Sequence, residues 1–187
     1  MWGLVKNGCM TIALRTARLA DVSGIVVVQA AAGRPSIDPA PFEAAIRDPL
    51  RLITVALMDD RIVGWGKTHL WESADGVAPT GHYLGGVTVA PSSRRLGIGA
   101  ALTDARLHWI WARAEAAYYF TNAQNLASIE LHRSRGFAEI ARASEVHGTV
   151  FDGGVGILFR ALRVMAQPPP NGGQRIAPVS PTMGTTA

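Results

Sequence analysis

A chain of 187 residues, 48% apolar and 17% charged, can bury the core of one domain without disulfides or a metal to staple it. Its formal net charge of +4 comes from scattered basic residues with no long run among them, so nothing points to nucleic acid as a partner. The single cysteine, Cys9, excludes an internal disulfide and a Cys-rich metal centre, and no metal site is expected.

The N-terminus lacks an apolar core long enough for a signal peptide. The longest apolar run, Ile25 to Ala32 with Gln29 inside it, is too short to span a bilayer. A cytoplasmic protein with no membrane partner is the expectation. Residues 1–10 read as an N-terminal extension. The first strand is then Thr11 to Arg15, by its alternation of apolar and polar residues. Asp21 is placed to cap a helix running to about Ala32. Gly33, Pro35 and Pro39 interrupt it, and Pro41 starts a short helix over Phe42 to Arg47. Leu52 to Met58 and Arg61 to Trp71 form a hairpin about the turn Asp59-Asp60, and Glu72 to Thr80 is a loop.

Tyr83 to Val89 is a strand carrying Gly85-Gly86 in its interior. Ile98 to about Glu115 is a long helix, with Ile98, Ala101, Leu102, Ala105 and Trp109 on one face. Tyr118 to Thr121 is a strand, and Leu126 to Arg135 a helix ended by Gly136. Phe137 to Ala141 and Val155 to Leu162 are the last strands. A domain over 11–165 is followed by a Pro- and Gly-rich tail, 166–187, expected to be disordered. The pattern is that of a mixed α/β domain.

The segment richest in chemistry runs from Val87, Thr88 and Val89 through Arg94, Arg95, Leu96, Gly97, Ile98, Gly99 and Ala100. It reads strand, loop, helix start. A helix N-terminus presents unpaired N–H groups and a partial positive charge, which favours phosphate. Gly97 and Gly99 clear side chains from the approach, and Arg94 and Arg95 add charge at the entrance. The alternative reading is a tight turn with close helix packing. A Walker loop is excluded because Ala100-Ala101 follows Gly99. A Rossmann fingerprint is excluded because position 102 is Leu and the Tyr118-Tyr119-Phe120 strand ends without a carboxylate.

With this turn, the sequence resembles the GCN5-related N-acetyltransferase (GNAT) superfamily. Arg94-x-x-Gly97-x-Gly99 is similar to the family's cofactor motif. A second family motif is matched by Asn125-Leu126-Ala127-Ser128, closed by Gly136-Phe137. The resemblance covers about residues 11–163. It implies one GNAT-like α/β domain, a mixed central sheet of six to seven strands flanked by about four helices. It implies acetyl-CoA as the acyl donor. Val87, Thr88 and Val89 would face the pantetheine arm, Arg95 to Ala100 the pyrophosphate with Arg94 at its entrance, and Asn125 and Ser128 the arm near the thioester. Gly85-Gly86 would bend its strand and free a backbone N–H for the developing oxyanion, with ordinary strand packing against a bulky neighbour as the alternative. Where the family usually carries Tyr as the acid for the leaving thiolate, this chain has His132. Asn125, Ser128 and His132 fall at i, i+3 and i+7 of one helix, so His132 is the expected acid, with a packing role as the alternative.

The acceptor is expected to be a small-molecule amine. Glu72 is the candidate base, with Asp75, His69 and His82 beside it, and a loop or surface role is the alternative for each. A looser likeness over Tyr83 to Phe159 to aminoglycoside 6'-N-acetyltransferases suggests an aminoglycoside, met by Glu43, Asp48, Glu72, Asp75 and Asp152, although the basic chain argues against a polycation. An amino acid, a protein N-terminus and a non-catalytic acyl-CoA sensor are the other readings. A homodimer is left open.

Overall fold

The computed structural model describes residues 3–7 and 10–163, with side chains from Thr11 onward. Strand β1 (Gly3–Asn7) and strand β2 (Met10–Thr16) form a hairpin. Helix α1 (Val22–Ala31) and helix α2 (Pro39–Arg47) follow, then β3 (Ile53–Met58), β4 (Arg61–Trp71) and β5 (Gly81–Val89). Helix α3 (Ile98–Trp111) crosses to β6 (Ala116–Asn122), and helix α4 (Leu126–Arg133) leads to β7 (Ala138–Ala143). A small ribbon, β8 (Glu145–Val146) and β9 (Thr149–Val150), precedes β10 (Gly156–Leu162).

Eight strands form one sheet in the order β1-β2-β3-β4-β5-β6-β10-β7. Every pairing is antiparallel except β5 with β6, whose parallel alignment requires the α3 crossover between them. The mixed α/β class and four α-helices match the sequence reading. The sheet has one strand more than the expected six to seven, because residues 3–7 pair with β2 instead of standing apart as an extension. The tail over 166–187 lies outside the described residues.

Helices α1 and α2 cover one face of the sheet. Val22, Ile25, Val28 and Phe42 pack there on Ile53, Val55 and Trp65. Helix α3 covers the other face through Ile98, Ala101, Leu102 and Ala105 against Leu14, Ala56 and Val63. Its later residues Leu107, Trp109 and Ile110 join Ile129 of α4 over Leu84, Ala117 and Tyr119. Asp59 and Asp60 both take positive φ (50° and 59°), as a tight two-residue hairpin turn demands. Asp21 precedes α1 but does not cap it with its side chain. Its carboxylate accepts instead from Arg15 (2.5 and 2.8 Å) and from the Arg18 N–H (2.7 Å), which ties β2 to the start of the helical layer.

Candidate functional site

The site is built where β5 leaves its neighbours. Opposite β4, Val87 faces Gly66 and Leu84 faces Thr68, so Gly85 and Gly86 together oppose Lys67. That is a β-bulge, at the two glycines where the sequence suggested one. On its other side β5 pairs with β6 only at His82–Ala117 and Tyr83–Tyr118. Beyond those pairs the parallel strands part, and β6 continues with β10 alone. A cleft therefore opens between β5 and β6, next to the bulge.

A buried arginine braces this bulge from the α3 side. Arg106 is 0% exposed. Its guanidinium donates to the carbonyls of Gly85 (2.9 Å), Lys67 (3.0 Å) and Leu102 (3.0 Å) and to the Thr103 hydroxyl (3.2 Å). Burial pushes its pKa down to about 9, so it stays protonated at neutral pH. Gly66 makes room for it: a Cβ there would lie 3.0 Å from the Arg106 Cζ. Sequence reasoning passed over Arg106. The available signal was a charge on the buried stripe of α3, four residues after Leu102 and three before Trp109.

Beyond the bulge β5 ends, and the chain turns into α3. Gly97 is the N-cap with φ 78°, and Arg95 also has positive φ (64°). Ile98 is buried in the α3 core and fixes the helix start. The N–H of Ala101 makes the first intrahelical bond, to Gly97 (3.0 Å). The preceding amides of the first turn have no acceptor within the helix. Gly99 has an ordinary helical φ, and a Cβ added there would meet no atom within 4 Å; the same holds at Gly86. Neither turn geometry nor packing requires glycine at 99. The close-packing alternative therefore fails there, while a phosphate-cradling role uses the open space. Arg94 and Arg95 are exposed beside it. The arrangement fits a pyrophosphate at the amides of 96–100.

The other predicted cofactor residues lie on β5 and at the start of α4. Val87 and Val89 are half-buried. Thr88 is buried, and its hydroxyl donates to Gln29 Oε1 of α1 (2.9 Å). Asn125 caps α4, accepting from the Ser128 N–H (3.4 Å) and donating to Thr121 Oγ1 (3.1 Å). Tyr119 of β6, a residue the sequence reading did not single out, donates its hydroxyl to Ser128 Oγ (2.5 Å).

His132 is brought to this group but in an unexpected state. It is 4% exposed and stacks flat on Tyr119, ring centroids 3.6 Å apart. Its Nδ1 lies 2.7 Å from the Ser128 carbonyl, an acceptor, so Nδ1 carries the hydrogen and Nε2 a bare lone pair. Burial pushes the pKa down to about 4. The ring is therefore neutral near pH 7, with its one N–H already given to the Ser128 carbonyl.

The acceptor-side candidates scatter. Glu72 is exposed, five residues past Lys67, hence about 16 Å along β4 from the bulge. Asp75 lies in the loop beyond it, 4.0 Å from His147. His82 is buried against Trp109 on the α3 side. Glu43 and Asp48 pair with Arg47 and Arg51, and Asp152 is exposed. Only His69 reaches the bulge, its Cδ2 2.9 Å from where a Gly85 Cβ would stand. A cavity of about 470 Å³ adjoins it, between β4 and the segment joining α1 to α2.

A split parallel strand pair thus lies beside a bulge and a glycine-cleared helix N-terminus. The chain belongs to the acetyltransferase (GNAT) family, whose model matches residues 21–137. Acetyl-CoA is accordingly its acyl donor. Over 63 residues it is 41% identical to aminoglycoside N(6')-acetyltransferase type 1 of Klebsiella aerogenes, a match over 32% of this chain and 40% of that protein's length. The fold is shared with the ribosomal-protein-S18-alanine N-acetyltransferase of Escherichia coli (TM-score 0.65, 16% identity, 86% of this chain and 99% of that one). It is shared as well with yncA of Salmonella typhimurium, solved with its cofactor acetyl-CoA (TM-score 0.64, 22% identity, 86% and 99%). No helix among the described residues is long and apolar enough to cross a membrane.

Proposed function

We propose that the chain transfers the acetyl group of acetyl-CoA to the primary amine of a small molecule. The observation that carries this reading is the bulge at Gly85-Gly86, which opens to the β5–β6 cleft on one side and adjoins the cavity beside His69 on the other. The reaction joins the amine nitrogen to the acetyl carbon, breaks the carbon–sulfur bond and moves one proton from nitrogen to sulfur. Bound acetyl-CoA supplies the activated acyl group and the thiolate leaving group.

The amides of Leu96 to Ala100, with Arg94 and Arg95, hold the pyrophosphate. Val87 to Val89 hold the arm through their backbone, with Asn125 and Ser128 across the cleft. The bulge offers a backbone N–H to the oxygen that gains charge. Ser128, backed by the Tyr119 hydroxyl, supplies the hydrogen bond to the departing sulfur. His132 holds both: its ring stacks on Tyr119 and its Nδ1–H donates to the Ser128 carbonyl.

Incubating the purified protein with acetyl-CoA and a panel of small amines, with free thiol as readout, tests the reading. Amine-dependent thiol release supports it. Binding of acetyl-CoA without release on any amine would make the chain a sensor instead. An aminoglycoside is the second acceptor reading, favoured by the Klebsiella aerogenes relative. Raised tolerance of a sensitive bacterium to 6'-amino aminoglycosides would support it.

A further inference from the structure

The cavity beside the bulge has a charge pattern of its own. Its floor is Ile53, Trp65, Lys67 and His69 of the sheet, and the segment joining α1 to α2 forms its wall. Lys67 and Arg51 both line it. The Arg51 guanidinium is paired with Asp48 (3.1 Å), whose other bond goes to the Leu50 N–H (2.8 Å). No hydrogen bond or ion pair reaches the Lys67 ammonium among the described residues. The carboxylate lining the cavity, Asp38, is engaged in capping α2 through the Ala40 N–H (3.1 Å). Burial, then the Arg51 charge, holds the Lys67 pKa below its ordinary value, and burial keeps His69 neutral with a pKa of about 4. A desolvated cation without a partner is costly, and an anion in the cavity would answer it.

We propose that this cavity takes an acceptor bearing an anionic group as well as its amine, with the anion on Lys67 and Arg51 and the amine at Gly85-Gly86. The Lys67 stem runs past Gly85, so the anion site and the bulge are one side chain's length apart. The same cations that hold the anion disfavour a second positive charge, so the bound amine is driven toward the neutral form that attacks. A polycationic sugar meets repulsion there instead. The inference rests on the transferase reading and names its substrate class: a small amine carboxylate or an amine phosphate.

The test compares L-alanine, L-alaninamide, 2-aminoethyl phosphate and a 6'-amino aminoglycoside as acceptors, followed by thiol release. The anionic amines should exceed the amide in kcat/KM by about 10- to 100-fold, the span of a charged hydrogen bond. A carboxylate preference over phosphate, or the reverse, tells which anion the cavity fits. Lys67→Met should erase the difference by raising KM for the anionic amines, with KM for acetyl-CoA moving less than about twofold. Lys67→Arg, which keeps the charge, should restore part of it. Equal use of alanine and alaninamide, or preference for the aminoglycoside, unaltered in Lys67→Met, overturns the inference and leaves the transferase standing. If acetyl-CoA binds and no amine reacts, the transferase reading falls. Calorimetric titration of the acetyl-CoA complex with alanine and 2-aminoethyl phosphate then decides the anion site. Binding lost in Lys67→Met sustains it, and no binding to either protein removes it.

Discussion

Two cations meet the same bulge from opposite faces of the sheet, and their surroundings differ. Arg106 reaches it from α3, wholly buried, with four acceptors answering its guanidinium. One of those acceptors is the carbonyl of Lys67, whose own side chain lines the cavity on the opposite face and has no hydrogen-bond or ion-pair partner among the described residues. A buried polar group that is fully paired belongs to the framework; one left unpaired beside a cavity is held ready for something else. The α3 face of the bulge is thus a brace, and the α1–α2 face opens to a cavity.

The largest difference between the faces should appear in stability. Arg106→Met keeps most of the volume but leaves the Gly85 and Lys67 carbonyls without their buried donor, and should cost about 3 kcal/mol. Lys67→Met removes a desolvated, unpaired charge and should cost nothing or stabilise by less than about 1 kcal/mol. Urea unfolding of the two variants checks both values. Equal losses would mean that Lys67 has a structural partner after all.

Acid should act next. His69 and His132 both have folded pKa values of about 4 against an ordinary 6.5, chiefly through burial. Between those values the unfolded chain binds protons that the folded chain does not, so stability rises with pH across the window. It is fully present above pH 6.5 and is lost progressively as pH falls toward 4. At pH 5 each ring should cost about 2 kcal/mol, measured by urea unfolding at pH 7 and pH 5. Phe at either position should remove its share of the slope.

A smaller effect separates pairing from proton transfer. His132→Phe keeps the stack on Tyr119 and loses only the bond to the Ser128 carbonyl, so kcat should fall less than about tenfold, with an unchanged profile over pH 6 to 9. Ser128→Ala should fall further, toward the lower end of general-acid effects, about 10²-fold. A 10²-fold loss in His132→Phe with a lost ionisation would return the acid role to the imidazole.

Most of the longer strands, helix α3 and the bulge were legible because each has a local signal: strand alternation, a stripe of apolar residues at helical spacing, and two glycines inside a strand. The edge strand β1 was missed because residues 3–7 carry little alternation until β2 is there to pair with them. The ribbon β8–β9 is two residues per strand, too short for any period to register. At the site, the glycine turn was readable because backbone conformation and sequence coincide there. The state of His132 was not, since its neutrality comes from the Tyr119 ring and the Phe137 edge packed about it, contacts made between α4, β6 and the approach to β7. Lys67 and Arg51 were invisible as a pair because they lie 16 positions apart in sequence.

The smallest expected effect sharpens the contrast between filled and open glycines. At Gly66 a Cβ would press on Arg106 and on Val87 (2.9 Å), so Gly66→Ala must strain the brace. At Gly99 it would meet nothing, and the backbone is already helical. Gly99→Ala should therefore raise stability by about 0.5 to 1 kcal/mol, the ordinary gain of alanine over glycine in a helix. Its methyl group stands in the proposed pyrophosphate site, so affinity for acetyl-CoA should fall, and Gly99→Val should abolish binding while the fold persists. Gly97→Val is the less clean probe, because φ 78° strains any side chain there and mixes a folding penalty into the loss. Calorimetry with acetyl-CoA, beside a melting curve for each variant, reads the two quantities separately. A Gly99→Ala protein that is more stable and binds as tightly as the parent would mean that the phosphates lie elsewhere on the helix start.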